Sequence, residues 1–116
     1  MDTLPQILNN AQKHHEEGRF HAAASLLLKA FRSDPENAEI AHQLGMVMRA
    51  VGNMPAAVEY LSRSYHANPT NTETITELVL ALYEVERFED ASIVLMNGLK
   101  LGIDAKAFAT SIIEAA

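Results

Sequence analysis

Few side chains in this sequence are spaced for chemistry. His14, His15, Glu16 and Glu17 form the densest run of metal-ligating and acid–base groups, since imidazole and carboxylate both bind zinc. On a helix, however, adjacent residues do not face one another, and the run holds neither two histidines four apart nor a His-Glu-x-x-His pattern. It reads as a polar helix end with His14 packed inward, and no metal site is expected. Glu73 and Glu77, four apart, share one helix face and destabilise it slightly when both are charged. Paired carboxylates serve acid–base catalysis only where burial or unlike surroundings split their pKa values, and nothing in the pattern points to a lid or deep cleft. The absence of cysteine removes disulfides, thiolate metal sites and cysteine nucleophiles. No Ser-His-Asp order, phosphate loop or Gly-rich dinucleotide turn is present. The expectation is therefore a protein that is not an enzyme and uses no cofactor.

The elements that must position these residues are helical throughout. With 116 residues the chain is long enough for one domain with a real core, and its 48% hydrophobic and 21% charged content is ordinary for a globular protein. No stretch approaches the roughly 18 consecutive apolar residues of a membrane span. The opening MDTLPQILNN lacks a basic n-region and a long apolar run, so the expected location is cytoplasmic, without membrane insertion. Fifteen acids against nine bases give a formal charge of −6, the wrong sign for a domain that holds nucleic acid.

Thr3-Leu4-Pro5-Gln6 has the form of a capping box opening a first helix, and Leu4, Ile7, Leu8 and Ala11 follow at helical spacing. Gly18 ends it; Phe20, Ala23, Leu27, Ala30 and Phe31 form the stripe of a second helix that stops at Ser33-Asp34-Pro35. The pattern returns 34 residues later, with Gly18 answered by Gly52, Phe20 by Met54, Ala23 by Ala57, Leu27 by Leu61 and Pro35 by Pro69. A third unit keeps Leu78, Leu82, Phe88, Ala91 and Leu95 in phase, but has Val79 for a small residue, Glu86 for glycine and Ile103 for proline. Gly45 and the alanines 23, 57 and 91 mark places where two helices approach closely. Glu59 falls on an outer face. Of the methionines, Met48, Met54 and Met96 fall at core-facing positions and only Met46 at an accessible one. Asp104 reads as an N-cap for a seventh helix, AKAFATSIIEAA, which either closes the stack or begins a fourth unit.

The set Ala41, Leu44, Gly45, Met48, Ala57, Leu61 and Pro69, at a period of 34, resembles the tetratricopeptide repeat. The resemblance implies an all-α, right-handed α-α superhelix of seven helices in a single domain, residues 1–116. Its repeats would be 4–37, 38–71 and 72–105, with a capping helix over 105–116.

In that family the first helices of successive repeats line a concave groove that receives a segment of another protein. Carried over by position, the groove comprises Leu8, Asn9, Gln12, His15 and Glu16 from repeat one. Repeat two gives Glu39, His42, Gln43, Met46 and Arg49, and repeat three Glu73, Thr76, Glu77, Leu80, Tyr83 and Glu84. A known subset of the family grips C-terminal carboxylates with cationic and amide side chains. Here the matching positions hold Leu8, Gln12, Gln43, Glu73 and Glu77, so such a clamp is not expected. Five glutamates against Arg49 favour a basic segment with apolar anchors. His42 would make a hydrogen-bonding or stacking contact; Tyr83 either meets a ligand or closes the stack, and Glu73 and Glu77 are either contacts or solvated helix surface. The expected role is an adaptor or scaffold binding a peptide. The alternative is the non-catalytic N-terminal array of a larger enzyme such as a bacterial transferase, and self-association through terminal helices is a third option.

Overall fold

The computed structural model describes residues 3–102, which form six α-helices: α1 (Leu4–Glu16), α2 (Phe20–Ser33), α3 (Ala38–Ala50), α4 (Met54–Ala67), α5 (Thr72–Glu84) and α6 (Phe88–Lys100). Each helix of repeat one is followed 34 residues later by its counterpart, at 4, 38 and 72 and at 20, 54 and 88. The seventh helix expected over 105–116, with its cap at Asp104, lies outside the described residues.

Local chemistry sets the helix ends. At α1 the capping box forms as the sequence indicates: Gln6 Oε1 accepts from the Thr3 backbone N–H at 2.8 Å, and Thr3 Oγ1 accepts from the Gln6 backbone N–H at 3.4 Å. Asn37 and Asn71 cap α3 and α5, each side chain accepting two backbone N–H bonds of the first turn. The first helix of every repeat ends in one and the same turn. After α3, Gly52 N–H donates to Arg49 and Asn53 N–H to Met48, with Gly52 at φ +84°. After α5, Glu86 N–H donates to Tyr83 and Arg87 N–H to Leu82, with Glu86 held at φ +63°. A left-handed conformation costs a residue with a Cβ about 1 kcal/mol or more, so Glu86 sits under strain that Gly18 and Gly52 avoid.

The core is divided by repeat. Ala11, Ala23, Leu27, Ala30, Ile40, Leu44 and Val47 form one buried cluster across repeats one and two; Val58, Leu61, Ile75, Leu78, Val79, Ala81 and Leu82, with Ala91 and Val94, form a second across repeats two and three. The small residues act as expected. Ala23 and Ala57 are fully buried, and a Cβ added to Gly45 would lie 2.5 Å from Leu61 Cγ, so only glycine lets α3 and α4 come this close. Glu59 is exposed. Met48 and Met54 pack partly buried against the cores. Met96 does not: it is 57% exposed on α6. Its counterparts 34 and 68 residues earlier are Ser62 and Leu28, so the position lies at the rim of the stripe, where side-chain type does not decide burial.

The helices form two layers. α1, α3 and α5 lie side by side. In the other layer Phe31 of α2 meets Tyr60 of α4 edge to face, with ring centroids 5.4 Å apart, and Asn97 of α6 donates to Tyr65 of α4 at 3.1 Å.

Candidate functional site

Three parallel positions in the first layer open onto a cavity of about 310 Å³, lined by Gln12 and His15 of α1, Glu39, His42, Gln43 and Met46 of α3, and Asn71 and Glu73 at the start of α5. All but Asn71 are groove residues expected from the sequence. Asn71 enters through its capping role, its side chain accepting from the Glu73 and Thr74 N–H groups at the start of α5. Its signal in the sequence is Asn37, 34 residues earlier in the same cap.

The cavity wall is polar and already organised. Gln43 Nε2 donates to Glu39 Oε1 at 3.2 Å, and Gln12 Nε2 to Glu16 Oε1 at 3.0 Å, so both amides spend donors on glutamates of their own helices. His42 forms the floor, 8% exposed, with Nδ1 2.9 Å from Thr74 Oγ1 and Nε2 3.5 Å from Glu73 Oε1. The Thr74 side chain is fully buried, and the ring nitrogen is the hydroxyl's partner. Nδ1 and the Thr74 hydroxyl share this hydrogen bond, and Nε2 faces the Glu73 carboxylate. His15 packs its ring edge to face on Phe20, with centroids 5.6 Å apart.

The remaining expected residues lie outside this cavity, and several are engaged. Arg49 bonds Glu77 through one guanidinium nitrogen and reaches Glu84 Oε1 at 3.4 Å through another, joining α3 to α5 with its side chain 23% exposed. The one groove cation counted from sequence is thus occupied by two of the five glutamates, leaving Glu16, Glu39 and Glu73 as the groove's unpaired acids apart from the His42 contact. Leu8 packs partly buried against the first core cluster, and Leu80 is 7% exposed. Asn9 is exposed. The Thr76 hydroxyl donates back to the Thr72 carbonyl at 2.9 Å. Tyr83, 56% exposed, stacks edge to face on Phe88 with centroids 5.0 Å apart. Among the described residues no three His, Asp or Glu side chains are grouped to hold a metal ion, and no helix is long and apolar enough to cross a membrane.

No family model and no curated protein matches the chain. Solved structures do. The first tetratricopeptide domain of Spaghetti (RPAP3), bound to the HSP90 peptide SRMEEVD, superposes with a TM-score of 0.81 at 14% identity, over 94% of this chain and 86% of that one. The translocator chaperone SycD of Yersinia enterocolitica gives 0.81 at 17% identity, over 98% of this chain and 79% of that one. A MamA variant gives 0.80 at 23% identity, over 98% and 66%. The chain has the tetratricopeptide-repeat fold, an all-α, right-handed superhelix of paired helices.

Proposed function

We propose that this chain is a protein-interaction module whose concave groove takes a segment of another protein, one that combines basic side chains with an apolar anchor. The observation that carries the reading is the cavity: residues 12, 15, 39, 42, 43, 46 and 73, separated by up to 61 positions in sequence, converge on one concavity between successive first helices. A similar fold in Spaghetti (RPAP3) is bound to a peptide ending in Glu-Glu-Val-Asp. Here Glu39 and Glu73 at the cavity oppose such a tail, so the fold is shared while the sign of the ligand is reversed. Met46 supplies the apolar contact.

A second reading has one observation in its favour. The chain superposes on an O-GlcNAc transferase from Thermobaculum terrenum with a TM-score of 0.81 at 22% identity, spanning 99% of this chain but 23% of that one. In that case the groove would serve an enzyme's partner or substrate protein rather than an adaptor's client. The length of the reading frame that encodes Ala116 separates the two.

The test uses a partner captured with this chain and its rate constants at low and high salt. Because Glu77 is tied to Arg49, the informative reversal is Glu39→Lys with Glu73→Lys. Exposed charges act chiefly on association, so the variant should bind more slowly and with a flatter salt dependence. Met46→Ala should speed dissociation by the equivalent of ~1–2 kcal/mol. Unchanged rates and an unchanged salt slope in the charge-reversed protein would remove the groove as the site.

A further inference from the structure

We infer that the outer face of α6 is a contact between two copies of this chain, in which two α6 helices pack antiparallel about a twofold axis between Val94 and Leu95. Glu89, Ile93, Met96 and Lys100 follow one another at spacings of four, three and four, the spacing by which one helix presents a straight seam to another. The two central residues are apolar and exposed, Ile93 at 53% and Met96 at 57%, and both ends of the seam are exposed as well. The face belongs to the second layer, so its occupation leaves the groove of the first helices open, and the inference stands apart from the groove reading.

The other repeats show what this face is not. At the same positions α4 has Pro55, Glu59, Ser62 and His66, and α2 has His21, Ser25, Leu28 and Arg32. Pro55, Glu59 and His66 remain exposed although α5 follows and packs on α4, so stacking of a further repeat does not cover this face. Met54, Leu61 and Tyr65 instead supply the side of α4 that packs into the core shared with α5. A pair of large apolar residues at the centre of the seam is particular to α6.

The seam is also complementary to itself. Residues 93 and 96 are symmetric about the point between 94 and 95, and so are residues 89 and 100. A twofold axis at that point sets Ile93 on the partner's Met96 and Met96 on the partner's Ile93, which buries apolar surface at the centre. At each end Glu89 meets the partner's Lys100, so opposite charges close both flanks. Among the described residues neither Glu89 nor Lys100 has an ion-pair partner in its own chain. A parallel pair would set Glu89 on the partner's Glu89 and Lys100 on the partner's Lys100, and like charges select against it. One helix from each copy makes a small contact, which puts the dimer in the weak, reversible class.

Sedimentation velocity of the full chain from micromolar to millimolar concentration tests the inference, with circular dichroism verifying the fold of each variant. A reversible rise from monomer to dimer mass is expected, without larger species, because a twofold contact closes on itself. Ile93→Asn should weaken the dimer about tenfold or more, since a polar group would enter its desolvated centre. Glu89→Lys and Lys100→Glu should each weaken it severalfold, and the two together should restore it to near its original strength. Reversing both charges opposes the α6 dipole at both ends, so a merely structural effect would be largest in the double variant rather than absent from it. A monomeric mass throughout, as would follow if residues 103–116 or a different protein covered the seam, would overturn the inference. So would a dimer indifferent to Ile93→Asn, or a double reversal that dimerises no better than either single one. None of these results bears on the groove, whose test is the binding rates of a captured partner.

Discussion

The second and third repeats follow one register but differ at two places where a Cβ decides the backbone. At the close contact of its helix pair, repeat two has Gly45 and repeat three Val79. Glycine lets Leu61 fill the gap directly, and α3 with α4 is the most extensively packed pair of the stack. Valine at 79 is itself buried at 3% exposure, so repeat three fills the same space from the first helix and leaves Leu95, the counterpart of Leu61, only partly buried. At the turn, Gly52 accepts the left-handed conformation freely, whereas Glu86 enters it at φ +63°. One architecture thus tolerates two solutions, but they are not interchangeable within a repeat.

The largest effect should come from moving one solution into the other's frame. Gly45→Val places a branched side chain where even a Cβ would lie 2.5 Å from Leu61 Cγ, and Leu61 is fully buried and cannot step aside. A loss of ~3 kcal/mol in urea titration is expected, at the upper end of overpacking costs and beyond any gain in helix propensity. A loss below about 1 kcal/mol would show that the pair is less tightly fitted than the glycine implies.

A similar contrast within α4 should be smaller. Ala57→Leu, at a fully buried contact, is expected to cost ~1–3 kcal/mol, while Glu59→Ala, two residues on and exposed, should stay within about 0.5 kcal/mol. Glu59 does pair with Arg63 at 3.5 Å, but with both side chains more than half exposed the pair adds little. Equal losses would mean that the stripe of α4 is misassigned.

The turns give the smallest effect, with opposite signs. Glu86→Gly relieves the strained φ and should raise stability by ~0.5–1 kcal/mol, and Gly52→Glu should lower it by about 1 kcal/mol or more. Nothing lies within 4 Å of a Cβ at Gly52, so the loss would be one of backbone conformation alone. If Glu86→Gly destabilised instead, the gain in chain entropy of the unfolded state would outweigh the strain it relieves.

Much of this was legible in the sequence because the repeat is enforced by sterics that leave a mark at fixed offsets. Gly18 and Gly52, Ala23 and Ala57, and the Thr3–Gln6 box each report a backbone requirement, and each is found where its residue type demands. Even the departures at Val79 and Glu86 kept the turn and the packing, since hydrogen bonding at Tyr83 and Leu82 closes the same motif without glycine. What could not be read was how the groove residues pair with one another. Arg49 appeared as a lone cation among acids, but its partners Glu77 and Glu84 lie 28 and 35 positions away on another helix. The His42–Thr74 bond likewise depends on the offset between α3 and α5, which no local pattern encodes. Met96 departs from the core-facing position that its spacing implies, because a stripe does not fix exposure near its rim. Asn71 carries no mark of its place in the cavity wall beyond its role as a cap.

The most direct test of the groove as the interaction surface is amide hydrogen exchange with and without a captured partner. Protection should rise at the start of α5 around Glu73 and along the exposed turns of α1 and α3 that border Gln12 and Gln43, with α2 and α4 unchanged on their outer faces. Protection confined to the outer faces of α2, α4 or α6, with the cavity helices exchanging as in the free protein, would contradict the account.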